Sequence, residues 1–377
     1  MKIPFFRAYI DDAEIKLINE ALQNNGAHLI DDLENEIKKY FNVKYAITTN
    51  NGTAAKHLSL CAMNLKRGDK IICSVNSFPS TPEVIRQFDA EPIFVDIEED
   101  GLNISPKAFE KVLASSNLKK FKAAFIVHLG GEAAKMNEIY EIANYYNIKI
   151  IDDASRAMGA KYNGKLIGSD SRSFMSCFQV NPQIRKAAAT TGIILTNEES
   201  IADRARLIRS HALVQNSVDK EGNLGYTYDV VDLGQKYDLD YLSAAYSMGQ
   251  FKKLELFIKR RREIAARYTE AFKDLSNIHL FNHSPEHIFT QYIVKIDKNR
   301  DDFARKLMDK GISVGLHYVP LHLLKYYKDK YNYKISDFPN SLKAYGQILS
   351  LPIFASMSDN EVDYVIKSIR EISQKHV

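Results

Sequence analysis

Cysteine is scarce in this sequence: its 377 residues include three, Cys61, Cys73 and Cys177. Each sits in an apolar run and none has CxxC or Cys/His ligand spacing, so buried core thiols are expected, with no disulfide framework, zinc site or other metal. Long apolar runs are missing as well. No window approaches the ~18 uninterrupted apolar residues of a membrane span, and the opening MKIPFFRAYIDDAEI lacks an apolar signal core with a small-residue cleavage site. A cytoplasmic protein with no membrane partner is the expectation. No single sign of charge prevails: the net charge is +4, with both signs mixed along the chain. The densest basic run, Lys259 to Arg262, falls in an otherwise amphipathic helical stretch and reads as a solvated face. A basic stripe interleaved with aromatics is absent, so nucleic acid is not an expected partner. Repeats, low-complexity tracts and linkers are absent too.

What is present is a composition of 45% apolar and 26% charged residues, enough for one large domain plus a smaller one. Helical spacing covers Glu14 to Gln23 and Asp32 to Phe41, with AHLI at 27–30 read as the loop between them. Short β-rich runs then alternate with helix-sized segments: YAITT at 45–49, KIICSV at 70–75, PIFVDI at 92–97, AAFIVHL at 123–129 and IKIIDDA at 148–154. Alternation of this kind points to an α/β fold whose parallel sheet has helices on both faces. GIILT at 192–196 reads as a further strand, 198–210 as a charged helix, and 241–272 as one long helix after a loop-rich stretch. Beyond it come YIVKI, a helix at 301–310, GISVGLHYV and an amphipathic helix at 359–373. The expected division is a large domain over 1–247 and a smaller α+β domain over 248–377, bridged by the long helix.

Several residues could carry chemistry. Asp152 and Asp153 end a strand at the carboxyl edge, where open α/β sheets place ligand groups; a carboxylate there can hold a cationic ring nitrogen or simply cap a turn. Asn51, Gly52 and Thr53 stand between a strand and a helix, which makes an anion site or an ordinary helix cap. Phe78, in SVNSFPST, offers a flat apolar face to an aromatic cofactor or packs in the core. His128 closes a strand and His317 lies in GLHYVPLH; each is an acid/base candidate or a structural histidine.

Read together, these segments resemble the DegT/DnrJ/StrS family of nucleotide-sugar aminotransferases from Ile3 to the end of the chain. NNGTAA is similar to the family's SSGTAA, PIFVDIEEDGLNISP to PVFVDIDPxTxNIDP, and VHLGGEAAKM to VHLYGQPADM. IIDDASRAMGAKYNGKLIGS is similar to VIEDAAQAHGAxYKGKKVGS and RARLIRSHA to RARxLRxHG, while HYVPLHLLKYY and ILSLPIF match the C-terminal signatures. The resemblance implies fold type I, the aspartate aminotransferase-like fold, with a mostly parallel mixed sheet. It also implies a homodimer with a shared interface site and amino transfer from glutamate to a keto-sugar nucleotide in surface-polysaccharide or antibiotic-sugar synthesis. In that family the loop matching Asn51, Gly52 and Thr53 holds the phosphate of pyridoxal phosphate (PLP), the aromatic matching Phe78 stacks on its ring, and the carboxylate matching Asp153 pairs with its ring nitrogen.

The departures from the family are concentrated at the site. Its lysine segment CFSFHPxKNITTGEGG aligns without gaps on Cys177, Phe178, Pro182 and Gly192, which puts Ile184 at the Schiff-base lysine; isoleucine forms no imine and shuttles no proton. The phosphate-binding serine becomes Gln179, the glycines of the EGG segment are partly replaced at Thr190 and Thr191, and the Gln or His of EDAAQA becomes Arg156. Lys236 and Asp238 replace an Asn and an Arg, and the GWxTxG loop is missing around Gly26 to Asp31. Three readings follow. The first is an altered enzyme that binds or acts on a nucleotide-linked keto-deoxy sugar, with PLP or pyridoxamine phosphate (PMP) held non-covalently and His128 or His317 as base. The second is a non-catalytic homologue or partner subunit. The third is an ordinary aminotransferase in which the loop slips to present Lys186.

Overall fold

The computed structural model describes residues 1–23, 26, 28–180, 189–215 and 227–375 of the chain. Two helices open it, α1 (Asp12–Gln23) and α2 (His28–Phe41). The segment 28–30, expected as loop, is the first turn of α2: Leu29 is buried and extends the stripe of Leu33, Ile37 and Phe41, so packing draws the helix back toward its start. Strand and helix then alternate as expected through β1 (Tyr45–Thr49), α3 (Gly52–Ala62), β2 (Lys70–Ser74), α4 (Ser80–Arg86), β3 (Glu91–Val95), α5 (Pro106–Ala114), β4 (Phe121–Val127), α6 (Met136–Tyr145) and β5 (Lys149–Asp153). A two-stranded ribbon, β6 (Lys161–Tyr162) and β7 (Lys165–Leu166), precedes β8 (Met175–Val180), β9 (Thr191–Thr196) and α7 (Glu199–Arg209).

Seven of these strands form one sheet in the order β1-β9-β8-β5-β4-β2-β3. The pairs from β3 across to β8 are parallel, while β9 runs antiparallel to both its neighbours, which gives the mostly parallel mixed sheet of an α/β fold. Its strands are buried almost throughout because both faces are covered. Leu33, Phe41, Phe178 and Ile193 belong to the core on one face, and Leu58, Ile71, Phe125 and Ile194 to that on the other. Cys73 and Cys177 are fully buried, and burial pushes the Cys177 thiol up to about 12, the range of an inert core residue.

A second ribbon, β10 (Leu213–Gln215) with β11 (Tyr228–Val230), leads to α8 (Tyr241–Lys252) and α9 (Leu254–Phe272). The single helix expected over 241–272 is thus two, broken at Lys253. The first is buried on nearly all sides against α1 and the sheet, and the second must turn away to reach a different core. Leu254 and Ile258 of α9 pack with the large core, whereas Ile264, Tyr268 and Phe272 pack with a third cluster. That cluster fills the space around the antiparallel sheet of β12 (Ile278–Leu280), β13 (Tyr292–Ile296) and β14 (Ile348–Leu351), with α10 (Arg300–Asp309) and, beyond α11 (Lys325–Tyr331) and α12 (Pro339–Gln347), α13 (Asp359–Ser373). GISVGLHYV forms no strand; it makes two isolated bridges, Ile312 with Ile3 and Gly315 with Ser350. Ile3 is fully buried in this smaller core and Arg7 pairs with Glu361 at 2.8 Å, so the N-terminal arm packs on the C-terminal part of the chain.

Candidate functional site

The carboxyl ends of β1, β2, β4 and β5 open onto a cleft of about 780 Å³, closed on its other side by the N-terminal arm and the segment around His317. Strand ends gather ligand groups because the loops after them are free of the sheet's own pairing. Thr53, Phe78, His128, Asp153, Arg156, Gln179 and His317, all singled out from the sequence, line this one cleft.

Lys56, which sequence reasoning passed over, lies at its floor. Asp153 is 6% exposed; its Oδ1 accepts from Ser155 Oγ at 2.6 Å and its Oδ2 from Thr81 Oγ1 at 2.7 Å. Lys56, 4% exposed, donates from Nζ to the same Oδ2 at 3.0 Å, to Ser80 Oγ at 2.7 Å and to Thr81 Oγ1 at 3.0 Å. Three acceptors match the three N–H bonds of an ammonium. Burial alone would raise the Asp153 pKa. The Lys56 charge, with hydrogen bonds from Ser155, Thr81 and Lys56 itself, outweighs that and leaves it below the ordinary carboxylate value.

At the start of α3, Asn51 acts as a cap: its Oδ1 accepts from the Ala54 N–H at 2.9 Å, and its Nδ2 donates to Asn50 Oδ1. Gln179 packs against the same turn. A Cβ on Gly52 would come 2.7 Å from Gln179 Oε1 and 3.0 Å from Gln179 Cβ, so any larger residue there would push the glutamine aside. Thr190 Oγ1 donates to the Asn50 carbonyl at 2.9 Å, and Thr191 meets Ser247 at 2.7 Å.

Arg156 follows Ser155 on the strand-end loop. Its Nε donates to Tyr318 Oη at 2.9 Å, while Nη1 is buried without a partner, an uncommon state for a guanidinium. Tyr318 also approaches Phe78, with ring centroids 5.9 Å apart, and Phe78 remains 54% exposed. His317 stacks on Phe5 at 5.6 Å and shares a 2.8 Å hydrogen bond between Nδ1 and Ser350 Oγ. Burial, reinforced by the Arg156 charge, pulls its pKa down to about 3, so the imidazole is neutral at physiological pH and weakly basic.

His128, a base candidate from the sequence, has both ring nitrogens engaged in hydrogen bonds. Its Nδ1 accepts from the Ala134 N–H at 3.1 Å, which assigns the proton to Nε2, and Nε2 faces Asp152 Oδ1 at 3.2 Å. Asp152 is held in turn by Ser173 and Ser176 at 2.7 Å each. With both nitrogens engaged and the ring fully buried, His128 is a brace between strand ends. Lys236 and Asp238 neutralise each other at 2.7 Å and do not line the cleft. Ile184 and Lys186 lie outside the described residues.

Among the described residues one His/Glu group has the spacing of a metal centre, Glu132 with His283 and His287. His287 Nδ1 accepts from the Phe289 N–H at 2.8 Å, which leaves the ring proton on Nε2, the nitrogen facing Glu132 at 3.7 Å. That tautomer has no lone pair for a cation.

For a pyridine cofactor the donors and acceptors do not fit as they stand. A ring nitrogen would reach Asp153 Oδ2 only by displacing Lys56 or Thr81. The model of the DegT/DnrJ/EryC1/StrS aminotransferase family matches residues 8–370. The spore coat polysaccharide biosynthesis protein SpsC of Bacillus subtilis is 31% identical over 98% of this chain and 97% of its own length. Among solved structures, Spr1654 of Streptococcus pneumoniae in its PMP-form superposes with a TM-score of 0.91 at 22% identity, over 100% of both chains. PseC of Helicobacter pylori, an aminotransferase involved in the biosynthesis of pseudoaminic acid, superposes at 0.90 with 21% identity, also over 100% of both chains. At such identities these two likenesses speak for the fold alone.

Proposed function

This chain belongs to the DegT/DnrJ/EryC1/StrS aminotransferase family, and from that premise we propose that its cleft binds a nucleotide-linked keto-deoxy sugar of surface-polysaccharide or deoxysugar synthesis without conventional lysine-based transamination. The observation that carries this reading is the charge balance of the cleft. Among the described residues lining it, Asp153 is the one acid and is matched by Lys56, so the Arg156 charge is left over for an anion. Arg156, held in place by Tyr318, supplies positive charge to the cleft wall, and the exposed face of Phe78 suits a base or sugar ring. The loss of lysine chemistry rests on Ile184 in the aligned segment. His317 is weakly basic and both ring nitrogens of His128 are engaged in hydrogen bonds, which favours the binding homologue over the altered enzyme.

A cytoplasmic homodimer accompanies this proposal. Tyr228, Val230, Val231 and Leu233 are more than half exposed on and beside the second ribbon, an apolar face that a second copy would cover. The test is calorimetric titration with UDP-N-acetylglucosamine and with UDP. Saturable binding of both is expected, weakened about 10- to 100-fold in Arg156→Gln, the range for losing a charged hydrogen bond. Absence of binding, together with a borohydride-trapped PLP adduct on Lys186, would restore the ordinary aminotransferase.

A further inference from the structure

We infer that Lys56 is a resident substitute for the ring nitrogen of a pyridine cofactor: the chain supplies Asp153 with its own cation and so excludes PLP and PMP from the cleft. This goes beyond the sugar-binding reading and does not depend on which sugar is bound.

The inference rests on how completely the pair is satisfied. Lys56 Nζ has three oxygen acceptors within 3.0 Å, and both oxygens of Asp153 already accept from donors on the chain. A protonated pyridine nitrogen brings one positive charge and one N–H to a carboxylate, which is the service Lys56 already performs at Oδ2. To seat the ring there, the ammonium would have to leave a site where it is 4% exposed and give up three hydrogen bonds. Its loss from a buried carboxylate is strongly unfavourable, so the pair and the ring compete for one place.

The other end of the cleft is filled in the same manner. An anion at the first turn of α3 would rely on free backbone N–H groups, yet the Ala54 N–H is already capped by Asn51. Gln179 Oε1 lies 2.7 Å from where a Cβ of Gly52 would be, so an amide oxygen already occupies the space over that turn. An internal cation at one end reproduces the charge of a pyridinium, and at the other a neutral amide oxygen takes up the space that an anion would need.

The experiment is a gain of binding. Wild type, Lys56→Met and Lys56→Met/Gln179→Ser are titrated with PMP, followed by its absorbance and by thermal unfolding. Wild type is expected to show neither a spectral change nor a shift in Tm at millimolar PMP. Lys56→Met should unfold at lower temperature on its own and recover part of that loss with PMP, whose ring nitrogen then fills the empty place; its Kd should be at least about tenfold tighter than that of wild type, and the double variant tighter still. If Lys56→Met does not fold alone, its production with PMP present gives the same readout, and Lys56→Gln, which keeps donors without the charge, is titrated beside it. Micromolar binding by wild type that Lys56→Met does not improve would overturn the inference, as would the absence of binding in every variant. UDP-N-acetylglucosamine binding, measured in parallel, keeps this outcome separate from the fate of the proposed function.

Discussion

Among the described residues two lysines pair with buried carboxylates, Lys253 with Glu14 and Lys56 with Asp153, and the two pairs do different work. Lys253 Nζ lies 2.6 Å from the Glu14 carboxylate and 3.0 Å from Asp11 Oδ1, tying α1 to the end of α8. The packing there is tight: a Cβ on Gly249 would come 2.7 Å from Glu14 Cγ. Lys56 and Asp153 form a pair of the same chemistry, yet they line a cleft of about 780 Å³. At the first pair nothing but the chain can supply the cation. At the second a ligand of suitable charge has room to do so, and the pair becomes a statement about which ligands are admitted. A buried ion pair is therefore informative mainly through what lies beside it.

The contrast can be broken most forcefully at the staple. Lys253→Met should cost about 3–5 kcal/mol by leaving Glu14 buried without its cation, read as a fall in the urea midpoint, and PMP should restore none of it. Recovery with PMP there would mean that rescue at Lys56 is nonspecific.

Acid titration sharpens the comparison within the cleft. The folded pKa of His317, about 3, lies below the ~6.5 of an unfolded histidine, so between those values the unfolded state binds the proton and stability falls as pH drops. The Asp153 pKa is lowered in the fold, so its stabilising contribution is complete above the unfolded carboxylate value of ~3.9 and is lost only as pH falls through the folded value. Stability curves from pH 7 to 4 should decline by a few kcal/mol in wild type, and His317→Phe should lessen that decline, the remainder belonging to other buried histidines such as His287, whose pKa burial also holds low. A decline that His317→Phe leaves unchanged would assign it elsewhere.

The smallest effect is expected where both partners of the cleft pair go. Lys56→Met/Asp153→Leu should stay within about 1 kcal/mol of wild type, because no charge is left buried alone. An equal loss in the double variant and in Lys56→Met would show that the hydroxyl network of Ser80, Thr81 and Ser155, rather than the charges, holds the site.

The alternation of strand and helix was legible because parallel strands covered on both faces read as apolar runs. β8 escaped, since Ser176 and Gln179 interrupt its apolar sequence. The convergence of Asp153, Phe78, Arg156, Gln179 and His317 was legible only through motif resemblance, as nothing in their spacing along the chain brings them together. Lys56 carried a local signal that went unread. It is the one charged side chain of α3, a helix in which every residue except Thr53 and Cys61 is buried. A helix with no solvated face has nowhere to put a lysine without a partner, and the carboxylate candidates at the strand ends had already been identified. His128 shows the converse: its place at a strand end suggested chemistry, and the bonds to both nitrogens show only in three dimensions.

The N-terminal arm ties recognition to the way the two ends of the chain meet. Ile3 is anchored beside Ile312, and two residues on Phe5 lies flat against His317 as part of the cleft wall. Peeling those few residues from their groove would remove a wall as well as a strap. Occupancy of the cleft and anchoring of the arm are then a single equilibrium seen from two sides: whatever fills the space tightens the grip on the arm, and whatever tugs at the arm loosens the hold on the ligand.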